Sequence, residues 1–131
     1  MSQENVDLWL ATVDAYNAGD LDAVMEFYAP HMEAVPALPD WPPLHGREHF
    51  RRFMEDIASA WVRPRWETIE VYPLGADRVF YRGQWGGEGL ASGINTAAST
   101  SAVVTIRDGL IVRAEFYFDH DQALKAAGLE E

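Results

Sequence analysis

The periodicity of the apolar residues changes once along the chain, from a helical repeat to a strand alternation. In residues 6–17, 21–28 and 46–61 apolar residues recur every three or four positions, which predicts three amphipathic helices. From residue 65 onward apolar and polar residues alternate, and turn residues divide this part into four strands. Helices followed by a run of hairpin strands predict an α+β fold, with an antiparallel sheet that buries one face against the three helices.

Single residues mark the ends of these predicted elements. Gly19 is placed to end the first helix, and Asp20 to cap the second. The Asp-Gly pair at residues 108–109 is the strongest hairpin signal in the chain. Asp119 precedes a short closing helix in a capping-box pattern, and Gly128 is placed to end that helix. These signals agree with the order of elements that the periodicity predicts.

Residues 31–45 are predicted to be an irregular loop. Four prolines, at positions 36, 39, 42 and 43, argue against a continuous helix or a central strand. The segment nevertheless carries the apolar residues Val35, Leu38, Trp41 and Leu44. One interpretation is that the loop covers a cavity, with Trp41 over its mouth. The other is that it simply packs on the core.

Length and charge exclude several classes of protein. The chain has 131 residues, 48% of them hydrophobic, which fits one domain spanning residues 1–131 with a core of its own. There is no cysteine, so thiol catalysis, disulfides and thiolate metal sites are excluded. The formal net charge of −11 disfavours nucleic acid and anionic membranes as partners. The polar, acidic N-terminus does not resemble a signal peptide, so a cytoplasmic protein is expected.

Short motifs in a fixed order resemble the SnoaL-like members of the nuclear transport factor 2 superfamily. They are Asn-Ala-Gly-Asp-Leu-Asp at residues 17–22, Phe-Tyr-Ala-Pro at 27–30, Leu-His-Gly-Arg-Glu at 44–48, Ile-Arg-Asp-Gly-Leu-Ile-Val-Arg at 106–113, Tyr-Phe-Asp-His-Asp-Gln-Ala-Leu at 117–124 and Ala-Gly-Leu at 127–129. Each motif is weak alone, but their order and spacing cover nearly the whole chain. The resemblance implies a curved, cystatin-like sheet that forms a cone with the helices around an apolar internal pocket. It also implies a homodimer formed through the outer face of the sheet.

The resemblance does not imply one activity, because the superfamily contains isomerases, polyketide cyclases, hydrolases, dehydratases and non-catalytic binders. The catalytic residues of ketosteroid isomerase are not matched. Alignment on residues 17–20 places Thr12 at that enzyme's helix tyrosine and Pro36 at its base. Ala102 falls near the strand aspartate, and Met54 at a supporting tyrosine. The chain therefore resembles the fold without that chemistry.

Three side chains are candidates for acid/base catalysis. Tyr16 lies one helical turn after Thr12, and His49 neighbours an apolar helix face. Glu70 lies among aromatic residues, where a carboxylate facing the cavity would suit proton transfer. The alternation of residues 65–73 leaves both orientations of Glu70 open. A structural role competes with catalysis for each residue: a core tyrosine, a surface histidine and a solvated carboxylate.

No metal or cofactor is expected. His45 and His49 are four residues apart, but Gly46 places His45 outside the helix, and no third ligand is apparent. The opposite face of the sheet carries Arg113, Glu115 and Tyr117, a mixed surface that is compatible with an interface or with solvent.

The phase of the apolar residues predicts the wall of the pocket. We expect it to be lined by Trp9, Val13, Trp41, Phe53, Ile57, Trp66, Val79, Tyr81, Trp85, Thr100, Ala102, Phe116 and Phe118. Gly83 removes a side chain from the same sheet face and is expected to leave room. The alternative is that these rings fill a solid core.

Two functions follow from this pocket. The first is a cofactor-independent isomerase, cyclase or lyase that acts on an apolar, oxygenated small molecule by acid/base chemistry. The second is a non-catalytic dimer that binds such a molecule or assists a partner protein. A buried carboxylate or imidazole in an open cavity would favour the enzyme. A cavity lined only by Trp, Tyr, Phe and Thr would favour the binding protein.

Overall fold

Four helices and six strands make up the described part of the chain. The computed structural model describes residues 2–36, 42–59, 61–90 and 92–128, without the side chains of residues 2, 57, 58, 61, 63, 95 and 96. The elements are α1 (Ser2–Asn17), α2 (Leu21–Glu26), β1 (Tyr28–Val35), β2 (Leu44–His45), α3 (Arg47–Ala58), β3 (Trp61–Leu74), β4 (Arg78–Gly89), β5 (Asn95–Arg107), β6 (Leu110–Tyr117) and α4 (His120–Ala127). None of these helices combines the length and apolar character that crossing a bilayer requires.

The strands form one curved sheet in the order β2-β1-β6-β5-β4-β3. Strands β3 to β6 follow one another as antiparallel hairpins, and β1 pairs in parallel with β6. Helices α1 and α3 pack on one face, where the larger core lies. The predicted α+β class with three N-terminal helices against the sheet is confirmed, but the sheet has one parallel pair and six strands.

The prediction of an irregular loop over residues 31–45 is wrong at both ends, because residues 31–35 belong to β1 and residues 44–45 form β2. Residues 28–35 form β1, in which Met32 and Ala34 are buried and the chain alternates faces. The second helix was predicted to extend to residue 28, but α2 ends at Glu26, before Tyr28 and Pro30. Pro30 is tolerated because the pairing of β1 with β6 is irregular between residues 28 and 33, so no regular ladder bond is lost there.

The third helix is shorter than predicted, because Trp61 begins β3 and not the last turn of α3. The register of β3 against β4 shifts between Thr68 and Glu70. Trp66 and Val71 therefore reach the same core, although they are five positions apart and would lie on opposite faces of a regular strand. Such a bulge bends a strand and increases its twist, which contributes to the curvature of the sheet.

A second, smaller core lies on the opposite face of the sheet. Phe80 and Val103 are fully buried there against Ala123 and Ala127 of α4. Asp119 caps this helix through a 2.9 Å hydrogen bond from the Asp121 N–H, and the predicted cap is confirmed. Part of the outer face of the sheet is therefore covered by α4.

Asn17 fastens the end of α1 to the edge strand β3. Its Oδ1 accepts the Trp66 N–H at 2.7 Å, and its Nδ2 donates to the Trp66 carbonyl at 2.9 Å. The side-chain amide thus takes the place of a neighbouring strand at this residue. Near the other end of α1, the Asn5 Nδ2 donates to the carbonyl of Ala76 in the β3–β4 turn. The helix is therefore held to the sheet at both ends.

Gly83 does not create the space that the sequence predicts. A Cβ at this position would lie 2.7 Å from the Tyr81 hydroxyl oxygen and 2.5 Å from the Glu67 carbonyl oxygen. The ring of Tyr81 already occupies the volume above the glycine. Gly83 is therefore required for close packing and leaves no opening in the sheet.

Replacing Asn17 with alanine should destabilise the fold by about 1–3 kcal/mol, because two hydrogen bonds to a partly buried backbone are lost. Urea unfolding of the two proteins measures the difference. Asp14→Ala, at an exposed position of the same helix, is the matched control. Equal unfolding midpoints for both variants would show that the Asn17 contact does not hold α1 in place.

Candidate functional site

An aromatic cavity lies between the helices and the sheet. Its wall is formed by Trp9, Thr12, Val13, Tyr16, Val24, Tyr28, Met54, Trp66 and Phe116. We call it the inner cavity. Its volume of about 20 Å³ is enough for roughly one water molecule. No carboxylate, imidazole or basic side chain is among these residues.

A larger cavity adjoins the first and opens to solvent between the α1–α2 turn and α3. It has a volume of about 320 Å³, which is at the lower end of the range for small-molecule sites. Its lining residues are Tyr16, Gly19, Leu21, Met54, Glu55 and Ser59. We call it the outer cavity. Tyr16 and Met54 line both cavities and therefore form the partition between them.

The orientation of the Tyr16 hydroxyl follows from its partner. The Trp85 Nε1 lies 2.8 Å from the Tyr16 hydroxyl oxygen. An indole N–H can only donate, so the tyrosine oxygen is the acceptor and its own proton is directed elsewhere. Burial raises the pKa of Tyr16, and the hydrogen bond from Trp85 lowers it by less. The hydroxyl is therefore neutral and available as a donor at the partition.

Two other polar groups in the wall of the inner cavity, the Thr12 hydroxyl and the Trp9 N–H, differ in whether they have a hydrogen-bond acceptor. The Thr12 hydroxyl donates to the Leu8 carbonyl of its own helix at 2.8 Å, so its proton is not available to the cavity. Trp9 is 3% exposed, and its Nε1 is buried without a hydrogen-bond acceptor in the described part of the chain. A buried donor without an acceptor is costly and calls for a physical explanation.

The floor beside the cavity is a packed layer of aromatic rings. Trp66 and Trp85 are stacked, with centroids 5.6 Å apart. Tyr81 meets Trp9 edge-on at 5.6 Å, and its hydroxyl lies 3.1 Å from the Thr68 Oγ1. These contacts fix the rings in place, so both interpretations of the aromatic residues hold in part: most of them fill a core, and a few line a cavity.

The structure sorts the thirteen predicted pocket residues into groups. Four of them line the inner cavity: Trp9, Val13, Trp66 and Phe116. Five are buried in the floor of the core: Val79, Tyr81, Trp85, Thr100 and Ala102.

The remaining predicted residues lie elsewhere. Phe53 is partly buried against the core. Phe118 follows the end of β6 and is 43% exposed, because the strand alternation ends one residue before it. Trp41 and the side chain of Ile57 lie outside the described residues.

Of the three candidate catalytic residues, Tyr16 lines the inner and outer cavities, whereas His49 and Glu70 line neither of these two. His49 lies on the exposed side of α3. Glu70 is exposed and pairs in register with Arg82, because the bulge at residues 68–70 turns it to the outer face of the sheet. The inward orientation of Glu70 is therefore wrong, and it does not lie among the rings of the cavity.

Several cavity residues were not predicted as site residues. Val24, Tyr28 and Met54 belong to the apolar helical stripes, and Thr12 stands at the position aligned with a catalytic tyrosine. Those signals were present, but they do not distinguish a cavity wall from a solid core. Nothing in the sequence marked Glu55 as a site residue, because acidic residues are common on the polar face of an amphipathic helix.

A metal site is not supported within the described ranges. No group of three or more His, Asp or Glu side chains there is arranged to hold an ion. His45 lies in β2, with its Nδ1 3.5 Å from the Glu33 carboxylate, while His49 lies in α3. The two histidines thus belong to different elements.

Solved structures share this architecture over almost the full chain. A candidate polyketide cyclase from Xanthomonas campestris pv. campestris has a TM-score of 0.79 and 23% identity, covering 96% of this chain and 98% of that one. TerC, co-crystallised with polyporic acid, has a TM-score of 0.76 and 20% identity, with coverages of 95% and 98%.

A third structure is a protein with a ketosteroid isomerase-like fold from Catenulispora acidiphila DSM 44928, in complex with trimethylamine. Its TM-score is 0.74 at 17% identity, with coverages of 93% and 92%. At sequence identities of 17–23%, the similarity to these three structures shows a shared fold.

No curated protein matches the chain in sequence. The sequence profile of the SnoaL-like domain matches residues 9–114, which run from the second half of α1 into β6 and include α2, α3 and nearly the whole sheet. Since this match spans well over half of the chain, the protein belongs to the SnoaL-like domain family.

Proposed function

We propose that this protein binds an apolar small molecule carrying a hydrogen-bond-accepting oxygen, and that it does so without catalysing a reaction. The observation that carries this proposal is the Tyr16 hydroxyl, whose oxygen accepts the Trp85 N–H and whose proton has no acceptor among the described residues. A carbonyl oxygen in the outer cavity is the natural acceptor for that proton.

The composition of the inner wall supports binding over catalysis. Acid/base chemistry needs a group that exchanges protons near neutral pH, and the inner cavity offers only tyrosine hydroxyls and a threonine. Burial raises the pKa of Tyr16, and that of Tyr28 far above its ordinary range, so both remain protonated. Such a wall can orient a ligand but is a poor base.

One observation favours an enzyme as the second candidate. The Glu55 carboxylate lines the outer cavity together with the Tyr16 hydroxyl. A carboxylate base and a hydroxyl donor in one cavity are the groups that an isomerase or cyclase needs to move a proton next to a carbonyl. The candidate polyketide cyclase from Xanthomonas campestris pv. campestris, which shares this fold, is compatible with this second candidate function.

The structural relatives also bear on the ligand. One of them was co-crystallised with polyporic acid and another is in complex with trimethylamine, so two proteins of this fold have been crystallised with small molecules. For the present chain we favour an uncharged ligand, because no charged side chain lines the inner cavity to compensate a buried ionic group. The net charge of −11 in addition disfavours an anion. No cofactor is part of the proposal, and neither nucleic acid nor a membrane is a proposed partner.

We also propose a homodimer formed through the outer face of the sheet. Glu33 pairs there with Arg113 and His45, and Arg113 also contacts Glu115 at 3.1 Å. The Tyr117 hydroxyl donates to Glu115 at 2.8 Å. A surface with both charges can meet its own copy across a two-fold axis, although α4 restricts the area available.

Tyr16→Phe should weaken binding of a neutral aromatic ketone such as 2-acetylnaphthalene by roughly 2- to 10-fold, because one hydrogen bond to the carbonyl is lost. Calorimetric titration measures the dissociation constants, and a thermal melt checks that the variant is folded. Tyr72→Phe, on the other side of the sheet, is the matched control. The proposal is wrong if neither protein binds the ketone, or if both variants bind it as tightly as the unsubstituted protein.

Binding of the same ketone should weaken by less than two-fold between pH 7 and pH 10. The donor is the protonated form of Tyr16, and burial raises its pKa above the ordinary 10.0, so more than half of the hydroxyl is still protonated at pH 10. A larger loss of affinity is expected only at still higher pH, where the hydroxyl ionises. Titrations at pH 7, 8.5 and 10 test this expectation. A loss of affinity near pH 8 would mean that a different group holds the ligand.

Deuterium exchange at the methyl group of 2-acetylnaphthalene distinguishes the two candidates. For a binding protein we expect no exchange above that in buffer, as followed by proton NMR in D₂O. Exchange that the protein accelerates and that Glu55→Gln abolishes would instead support the enzyme, with Glu55 as the base. Glu48→Gln, an exposed residue of the same helix, is the control.

A further inference from the structure

Helix α1 presents two hydrogen-bond donors to the interior, and only one of them is at the partition. Tyr16 and Trp9 are seven residues apart, which is two helical turns and about 10 Å along the helix axis. Both line the inner cavity. The Trp9 Nε1 is buried without an acceptor in the described part of the chain, and the Tyr16 proton is equally unused. A ligand that satisfied both donors would need an accepting oxygen at each end.

A wall of aromatic rings suits a flat ring compound. The inner cavity is lined by Trp66, Phe116 and Tyr28 beside the two donor residues, and by no charged side chain. Its present volume of about 20 Å³ holds about one water molecule and no ring. Some wall residue must therefore move before a ligand can pass Tyr16 and reach Trp9.

Met54 is the wall residue best suited to move. It shares the partition with Tyr16, but Tyr16 is held by the hydrogen bond from Trp85. Met54 is 8% exposed, and its unbranched thioether has three rotatable bonds and no fixed partner geometry. Rotation of this side chain would join the inner cavity to the 320 Å³ outer cavity.

We propose that the ligand is a flat, uncharged ring compound with a carbonyl-type oxygen at each end, one bound by Tyr16 and the other by the Trp9 N–H. Met54 determines how deeply such a ligand enters. This inference rests on the proposed binding function and goes further, because it assigns a second donor, a ligand class and the residue that controls access.

Three neutral naphthalenes of similar width test the proposal. 2,6-Diacetylnaphthalene carries an oxygen at both ends, 2-acetylnaphthalene at one end, and 2,6-diisopropylnaphthalene has nearly the same shape as the first without oxygen. Trp9→Phe removes the N–H and keeps an aromatic ring. We expect it to weaken binding of the diacetyl compound by roughly 2- to 10-fold and to leave the diisopropyl compound almost unaffected.

A second measurement needs no substitution in the wall. The indole N–H resonance of Trp9 in a nitrogen–proton correlation spectrum should move downfield when the diacetyl compound binds, and not when the diisopropyl compound binds. Its assignment comes from the resonance that Trp9→Phe removes, or from triple-resonance assignment of the unsubstituted protein if that variant does not fold.

The access role of Met54 is tested by the rate of association. Met54→Ala should speed association of the diacetyl compound several-fold, measured by stopped-flow quenching of tryptophan fluorescence. Met25→Ala removes a buried methionine that lines neither described cavity and serves as the control. Equal rates for the two variants would contradict the role of Met54.

The outcomes separate this inference from the proposed function. If the ketones bind through Tyr16 but the Trp9 resonance and the Trp9→Phe affinities do not distinguish the diacetyl from the diisopropyl compound, the second donor is satisfied by a trapped water and the inference fails alone. If no naphthalene binds at all, the proposed function fails with it.

Discussion

The last turn of α1 docks on one pair of residues in the sheet, and the candidate site depends on that contact. Asn17 binds both backbone polar groups of Trp66, and Tyr16 accepts the indole N–H of Trp85. Trp66 and Trp85 are register partners on β3 and β4. Because the backbone groups of Trp66 point outward to Asn17, this is a pair without mutual hydrogen bonds, in which side chains lie closest. The stacked rings follow from that geometry.

The same contact explains the chemistry that the cavities offer. A tryptophan N–H can only donate, so Tyr16 is left as a donor toward the cavity. Titratable carboxylates and imidazoles stand outside the inner wall, and Glu55 alone among the lining residues of the outer cavity carries a charge. Under the proposed function, a ligand acceptor would meet the Tyr16 donor in an apolar setting, where a hydrogen bond is stronger than in water.

The helical stripes and turn signals could be read directly from the sequence, since they depend on neighbours three or four residues away. Asp20, Asp119 and the Asp-Gly hairpin therefore lie where predicted. The sequence left two orientations open for Glu70. A β-bulge shifts the alternation by one residue before Glu70, and no nearby sequence signal indicates that bulge. Gly83 was taken as a gap, whereas the ring of Tyr81 two residues earlier fills that space.

By itself, the sequence determined the class of fold, the inward stripes and the absence of thiol chemistry, because these depend on periodicity and residue types. Only the tertiary structure decided which inward residues line a cavity and which fill a floor. That difference arises where distant segments meet: Met54 of α3 and Tyr16 of α1 together line both cavities. Packing of this kind depends on the positions of whole helices and strands, which no short stretch of residues specifies.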